Sequence, residues 1–265
     1  IYANSAIGVR MSGFQGAGDG LFGNTIYQLT GDAILATVGG NRTEIRDNIV
    51  VVGAGYALRV GDSQQVGFNS NYNLFHVFGT GKLAQWEGRD FLTMADWSYE
   101  TGNDFESVLA DPQFLDVNGA DNLLGYSAAS TVDGGEDDDF RLAVSSPGVD
   151  RGDPASRFQV EPGNNGGRVD MGAYGNTLLA TQSPAQLIQV LNPNGLEKFE
   201  AGQPVTVQFQ SAGLAQVDTV LRLNTGNGSP AVPDWSPDKY RVSGSTSGQS
   251  TNFATAGVVD AAPVG

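Results

Sequence analysis

The amino-acid sequence predicts an all-β fold of short strands that stack in successive repeats. Three observations support this prediction. Glycine occurs 37 times in 265 residues, about twice its usual share, and only 16% of the residues are charged. Short β-like runs alternate with glycine and asparagine turns, without the apolar spacing of an amphipathic helix. A pattern of asparagine, apolar residues and glycine also recurs at a fixed spacing near the N-terminus.

The repeat is clearest between residues 24–34 and residues 48–58. Asn24 matches Asn48, and every other element of the pattern recurs at the same offset. The other pairs at this offset are Ile26 with Val50, Gly31 with Gly55, Ala33 with Ala57 and Ile34 with Leu58. A weaker copy precedes them at residues 7–10, and Asn73 opens a third asparagine-led unit one repeat after Asn48.

Repeats of roughly 20–25 residues that lack helices are typical of a solenoid of stacked β-coils. Each strand then pairs with the equivalent strand one turn further on, about 4.8 Å away. We therefore predict that Asn24 and Asn48 are neighbours and that their amides form a ladder along the axis. The alternative is that these asparagines are ordinary turn residues that tolerate a left-handed conformation.

The middle of the chain carries motifs that resemble a known family. They are Ser70-Asn71-Tyr72-Asn73-Leu74-Phe75, Asp111-Pro112-Gln113-Phe114, Asp139-Phe140-Arg141-Leu142 with Ser146-Pro147-Gly148-Val149-Asp150-Arg151-Gly152, and Arg168-Val169-Asp170-Met171-Gly172-Ala173-Tyr174. In this order they resemble bacterial right-handed parallel β-helix proteins of the pectate-lyase-like superfamily, with Gly175 where a glutamate is usual. The resemblance implies that residues 1–181 are the C-terminal part of such a β-helix, and we expect earlier coils upstream.

The last part of the chain predicts a different all-β module. Residues 182–186 have the composition of a linker. The alternation of apolar and polar residues over 205–210 predicts a half-buried strand. Residues 188–211 resemble the start of immunoglobulin-like modules, and residues 220–240 resemble a malectin-type carbohydrate-binding module. We therefore predict that residues 187–265 are an immunoglobulin-like or malectin-like β-sandwich, complete or continuing further.

Composition excludes several classes of partner and site. Lys and Arg number 14 against 29 Asp and Glu, giving a net charge of −15, which argues against a nucleic-acid partner. No apolar run is long enough to span a membrane. The absence of cysteine excludes disulfides, thiolate metal sites and a cysteine nucleophile. The family resemblance implies a bacterial extracellular or cell-surface location, with further domains on the same polypeptide.

Few residues stand out as catalytic or sugar-binding. His76 is the one histidine and a candidate catalytic base, or else an ordinary residue beside a strand. Trp86 and Trp97 are candidates for stacking on sugar rings, or else they cover a flank of the coils. Residues 91–97 predict a short helix that begins near residue 90. Arg46 and Arg59 could line an outer groove, or be ordinary solvated side chains.

The acidic residues fall into two groups. A run that contains Gly134 and Gly135 is a candidate calcium loop, with a solvated acidic loop as the alternative. Its carboxylates are Asp133, Glu136, Asp137, Asp138 and Asp139. The second group, Asp150, Asp153 and Asp170, lies among glycines and a proline, and these residues are interpreted as turn and capping carboxylates.

The β-helix family includes polysaccharide lyases, epimerases and hydrolases, as well as non-catalytic adhesins and surface proteins, so the fold does not decide the function. Lyase chemistry needs a base and cations around the reacting sugar, and the sequence shows no such group. We therefore expect a non-catalytic extracellular β-helix module that engages polysaccharide. One alternative is a lyase or epimerase with catalytic coils upstream. Another is a structural surface-array, adhesin or filament component.

Overall fold

The computed structural model describes residues 1–12, 20–38, 42–127, 130–193 and 196–214. Within these residues the protein is mostly β, with eighteen short strands, one α-helix and one 3-10 helix. Residues Ile1–Gly213 form one compact unit. The malectin-like segment at 220–240 lies outside the described residues. The predicted boundary near residue 182 stays a prediction.

Twelve strands and the helix form the first part of the fold. They are β1 (Ile7–Ser12), β2 (Gly20–Phe22), β3 (Thr25–Gln28), β4 (Asp32–Val38), β5 (Glu44–Arg46), β6 (Ile49–Val52), β7 (Tyr56–Val60), β8 (Asn69–Ser70), β9 (Leu74–Val77), β10 (Lys82–Trp86), β11 (Arg89–Phe91), α1 (Met94–Thr101) and β12 (Val108–Leu109). Strands three apart in the chain pair in parallel, except β8 and β11, which gives the sheets β1-β4-β7-β10, β2-β5-β8 and β3-β6-β9-β12. Strand β11 extends the first sheet antiparallel to β10.

The pairing register follows the sequence repeat. Ile26 of β3 pairs with Val50 of β6, which pairs with Phe75 of β9. Ile34 of β4 pairs with Leu58 of β7. The repeat that the sequence shows is therefore confirmed as the spacing of equivalent strand positions.

Glycine sets the close approach between successive repeats. Gly31 and Gly55 both have positive φ, of 76° and 80°. A Cβ atom on Gly55 would collide with the backbone of Gly31, and one on Gly31 would collide with the backbone of Ala6. Only glycine fits both the conformation and the space at this point of each repeat.

The asparagine ladder is confirmed by its hydrogen bonds. The Oδ1 atom of Asn48 accepts from the backbone N–H and the Nδ2 of Asn24, at 2.9 and 3.2 Å. The Oδ1 atom of Asn73 accepts in the same way from Asn48, at 3.1 and 3.0 Å. The Nδ2 of Asn48 also donates to the carbonyl oxygens of Leu21 and Arg46, at 2.8 and 2.9 Å.

A buried carboxylate ends the ladder. Asp104 accepts hydrogen bonds from Ser70 Oγ at 2.9 Å, Ser107 Oγ at 2.6 Å, Asn73 Nδ2 at 3.3 Å and Trp97 Nε1 at 2.7 Å. Burial raises its pKa, and the hydrogen bonds from these side chains oppose that rise. Asp104 thus joins the last asparagine to the helix that carries Trp97.

Two apolar clusters lie on opposite faces of the β3-β6-β9 sheet. The first is the main core, to which this sheet contributes Ile26, Val50, Val52 and Phe75. The second contains Ile49, Val51 and Leu74 together with Leu142, Val149 and Met171 from the later chain. The chain after β12 therefore folds back over the outer face of this sheet.

The remaining strands form three antiparallel pairs. They are β13 (Phe114–Asp116) with β16 (Asp139–Leu142), β14 (Tyr126–Ser127) with β15 (Val132–Asp133), and β17 (Leu187–Asn192) with β18 (Gln208–Ala212). The half-buried strand predicted over 205–210 is wrong in detail. Strand β18 begins only at Gln208, and Val205, Val207 and Phe209 are all exposed.

The predicted helix begins four residues later than expected. Thr93 is its N-cap, with Oγ1 accepting from the backbone N–H of Asp96 at 3.1 Å, and Met94 is its first residue. The helix ends before Gly102, which has a φ of 76°. Phe91 belongs instead to β11, where it packs in the main core.

Candidate functional site

A cleft of about 520 Å³ lies beside the β3-β6-β9 sheet. Three of its lining residues, Tyr27, Val51 and His76, occupy the same register position in three successive strands. Phe78 follows β9, and residues 111–118 form the opposite wall. The repeat thus places one side chain per strand along the cleft, at intervals of about 4.8 Å.

Four of the side chains that line the cleft are aromatic, namely Tyr27, His76, Phe78 and Phe114. The rings of His76 and Phe78 lie 5.5 Å apart, and Tyr27 meets Phe114 edge-on at 6.3 Å. Phe78 is 40% exposed, while His76 and Tyr27 are half-buried, so aromatic surface reaches solvent. Burial raises the pKa of Tyr27, and the negative charge of Asp111 raises it further. Such rings suit the C–H faces of sugars.

The polar residues of the cleft are hydrogen-bond acceptors and amides. Besides Tyr27 and His76, they are Asp111, Gln113, Asp116 and Asn118, and the lining contains neither lysine nor arginine. Asp111 Oδ1 accepts from the backbone N–H of Gln113 at 2.8 Å, and Gln113 Oε1 accepts from Ser145 Oγ at 2.7 Å. The cleft can therefore accept hydrogen bonds from hydroxyl groups, while its carboxylates repel anions.

A second polar surface lies on the β7-β10-β11 strands. Tyr56 Oη donates to Asp90 at 2.7 Å, and Lys82 Nζ contacts the other oxygen of Asp90 at 2.5 Å. These bonds, with one from Gln85, lower the pKa of Asp90 to about 2. Arg59, a predicted groove or surface residue, bonds to Gln85 at 2.9 Å and to Asp32 at 3.3 Å. Lys82 and Arg59 are therefore both paired with carboxylates, as is Arg89 of β11 with Glu100.

The two tryptophan candidates pack inward. Trp97 is buried, with its ring 5.7 Å from Trp86 and 5.4 Å from Phe91. Trp86 also meets Phe68 at 5.7 Å. This packing favours the interpretation that they cover a flank of the sheets. Arg46, the other cationic candidate, forms ion pairs with Glu44 at 3.0 Å and Asp153 at 3.2 Å.

The carboxylates of the acidic run have different partners. Asp133 accepts from Gly135 N, Asp137 from Ala120 N, and Asp138 from Gly125 N, at 3.1, 2.7 and 2.9 Å. Asp139 forms an ion pair with Arg141 at 2.6 Å, and Arg141 lowers its pKa. These side chains brace separate turns, and the calcium loop predicted for Asp133, Glu136, Asp137, Asp138 and Asp139 stays a prediction.

Three other carboxylates come together in the later chain. Each of Asp150, Glu161 and Asp170 offers an oxygen within 4.8 Å of the others, and their exposures are 1%, 6% and 2%. The expected capping role is present for Asp170, which accepts from the backbone N–H groups of Asp150 and Thr181, both at 2.9 Å, and for Asp153, which accepts from Ala155 N at 2.8 Å. It is wrong for Asp150, because neither of its carboxylate oxygens has a hydrogen-bond partner among the described residues. Sequence reasoning missed Glu161, which accepts from Asp170 N and Asn176 N at 2.9 and 2.8 Å.

Burial raises the pKa of Asp150 to about 6 and that of Asp170 to about 7. The unfolded chain loses these two protons at about pH 4 and the folded protein only at about pH 6 and about pH 7, so the contribution of the two groups to stability is full below about pH 4 and is lost as the pH rises through the folded-state values. In chelating buffer, we expect these two groups to lower the melting temperature between about pH 4 and about pH 7. Each pH unit by which the folded-state pKa of a carboxyl is raised corresponds to about 1.4 kcal/mol of stability lost once that carboxyl is deprotonated. Asp150→Asn should flatten the profile, and an equally steep profile in this variant would contradict the assignment.

Comparisons with known proteins give no relative for this chain. No protein-family model matches it, no curated protein is similar to it, and no solved structure matches it. Among the described residues, no helix has the length and apolar character to cross a membrane.

Proposed function

We propose that this chain is a non-catalytic module of a large bacterial secreted or cell-surface protein, and that it binds polysaccharide. In this proposal residues 1–181 are the C-terminal part of a right-handed parallel β-helix, and residues 187–265 are an immunoglobulin-like or malectin-like β-sandwich. Three parallel sheets, whose strands pair at the spacing of the sequence repeat, and the family motifs of the middle segment support the β-helix. The β17-β18 hairpin is compatible with the start of a sandwich.

The cleft is the observation that carries the binding proposal. Tyr27 and His76 are separated by two strand spacings, roughly 10 Å, so the cleft can follow an extended chain rather than a single small molecule. Its volume lies within the range of ligand sites, and its aromatic surface and hydrogen-bond acceptors match sugar chemistry.

The charge of the cleft selects among polysaccharides. Asp111 and Asp116 stand in the lining without a lysine or arginine. A chain of uronic acids would bring its carboxylates toward these two residues and be repelled. We therefore expect neutral glycans to bind better than polyuronates. The same feature disfavours lyase chemistry in this cleft, because a lyase needs cations beside the substrate carboxylate.

Binding to immobilised neutral polysaccharides, measured by titration calorimetry or retention, tests the proposal. Phe78→Ala removes an exposed aromatic face and is expected to weaken binding about tenfold, the equivalent of about 1.4 kcal/mol. Leu178→Ala is the matched control, because Leu178 is 77% exposed and does not line the cleft. Equal binding by both variants would contradict the proposal.

Incubation with pectate and alginate tests the enzyme alternative. We expect no unsaturated sugar product in ultraviolet absorbance. Formation of this product by the parent protein and its loss in His76→Ala would contradict the non-catalytic proposal and make His76 the base.

A further inference from the structure

We propose that Asp150, Glu161 and Asp170 bind a calcium ion within the folded chain. Calcium takes carboxylate oxygens at 2.3–2.6 Å, so two ligands on opposite sides of one ion are up to about 4.6–5.2 Å apart. The three oxygens lie within 4.8 Å of one another, which fits ligands of a single ion. This site is separate from the cleft and does not depend on the binding of polysaccharide.

Unpartnered oxygens in this cluster indicate a missing ligand. Both carboxylate oxygens of Asp150 and the Oε2 of Glu161 are buried and have no hydrogen-bond partner among the described residues. A buried acceptor without a donor is costly, and a buried charge without a counter-charge is more so. A divalent cation would satisfy all three oxygens at once.

The backbone holds the carboxylates in place without using these oxygens. Glu161 Oε1 accepts from the N–H groups of Asp170 and Asn176, which leaves Oε2 unused. Asp170 is fixed by the N–H groups of Asp150 and Thr181. The ligands are therefore positioned before the ion arrives, which reduces the ordering cost of binding.

Neighbouring groups complete the surroundings of Asp150. The hydroxyl of Ser183 is buried and forms no hydrogen bond within the described residues. It lowers the pKa of Asp150, so it is a further oxygen beside the cluster. Gly166, at a φ of 58°, lies so close to the Asp150 carboxylate that a Cβ atom there would collide with it. Arg168 is the nearby cation, but it donates to the carbonyl oxygens of Arg151 and Gly152.

Bound calcium would join chain segments that now meet through backbone hydrogen bonds. Asp150 and Asp170 adjoin Val149 and Met171, which pack on the outer face of the β3-β6-β9 sheet. Calcium binding should therefore stabilise the part of the chain that folds back over this sheet, and the effect should appear in global unfolding.

Thermal unfolding of the full chain, in chelator and then in calcium chloride, tests the proposal. At a hundredfold excess of calcium over its dissociation constant, we expect a rise in melting temperature of about 5–10 °C. Asp150→Asn should abolish the rise. Its melting temperature in chelator should equal or exceed that of the parent, because it removes a buried charge.

Asp137→Asn is the matched control in the acidic run and should keep the calcium-dependent rise. Calorimetric titration of the chelator-treated parent with calcium chloride provides a second measurement, which requires no variant to fold. The absence of both a heat of binding and a shift in melting temperature would overturn the proposal. A calcium-dependent shift that survives Asp150→Asn and Glu161→Gln would also overturn it, as would an equal shift with magnesium.

Discussion

Replacing Asp104 by alanine is expected to lower the free energy of unfolding by about 3–4 kcal/mol. The carboxylate accepts hydrogen bonds from four side chains, and Trp97 Nε1, at 2.7 Å, is the donor least able to find another partner. The indole is buried among Phe91 and Trp86, so rotation toward water would break the core. The Ser70 and Ser107 hydroxyls would also lose their shared acceptor.

Chemical denaturation of the full chain measures this effect. Asp104→Asn keeps the size of the side chain but turns an N–H₂ group toward donors. We therefore expect a smaller but clear decrease in the free energy of unfolding. Glu100→Ala is the control, because Glu100 lies in α1 and its ion pair with Arg89 at 3.2 Å is exposed. Exposed pairs contribute about 0–1 kcal/mol. A loss for Asp104→Ala no larger than that of the control would show that the network is dispensable.

Removal of the central asparagine of the ladder is expected to cost about 3–4 kcal/mol, through Asn48→Ala. The side chain of Asn48 is fully buried and bonds to both neighbouring repeats. Its loss leaves the carbonyl oxygens of Leu21 and Arg46 without this donor and Asn24 without its acceptor. These groups cannot all reach water, so the free-energy cost of burying them is no longer offset by hydrogen bonds.

Asn24→Ala provides the matched comparison. Asn24 stands at the end of the ladder and donates to Phe22 O and Asn48 Oδ1, at 2.9 and 3.2 Å, in a more exposed position. We expect its loss to cost about 1 kcal/mol. Both losses are measured by denaturant unfolding. Equal destabilisation by the two substitutions would contradict the expectation that Asn48, which bonds to two asparagines, contributes more than Asn24, which bonds to one.

The sequence was most informative where one residue type must recur. The register of the strands follows from Asn24, Asn48 and Asn73, because few other side chains can form a ladder of amide hydrogen bonds. The glycines add to this, because only glycine permits the close approach of the backbone of successive repeats. The sequence marks the start of helix α1 less clearly. Asp90 and Thr93 are both acceptable helix starts, and the choice depends on Phe91, which the core of the folded protein takes into β11.

The carboxylate cluster could not be predicted from the sequence. Asp150, Glu161 and Asp170 are widely spaced, and the turns between them follow no regular period. Their meeting depends on backbone hydrogen bonds such as Asp170 N to Glu161, formed only when the later chain folds back. By contrast, the acidic run at 133–139 is evident in the sequence from its charge, but its side chains bond to different turns. The cleft has the same origin as the cluster, since residues 111–118 reach His76 only in the folded chain.

The contact of Gly31 with Ala6 and of Gly55 with Gly31 has a consequence for how such a chain can evolve. Because each glycine touches the backbone of the preceding repeat, an extra residue at that contact would bring a side chain into it, whereas other turns accept one, as the spacings of 24 residues from Asn24 to Asn48 and 25 from Asn48 to Asn73 show. Duplication of a whole repeat avoids this, since the new copy brings its own glycine and asparagine. A chain of this kind can therefore lengthen by the complete segment from one asparagine to the next, which here spans 24 or 25 residues.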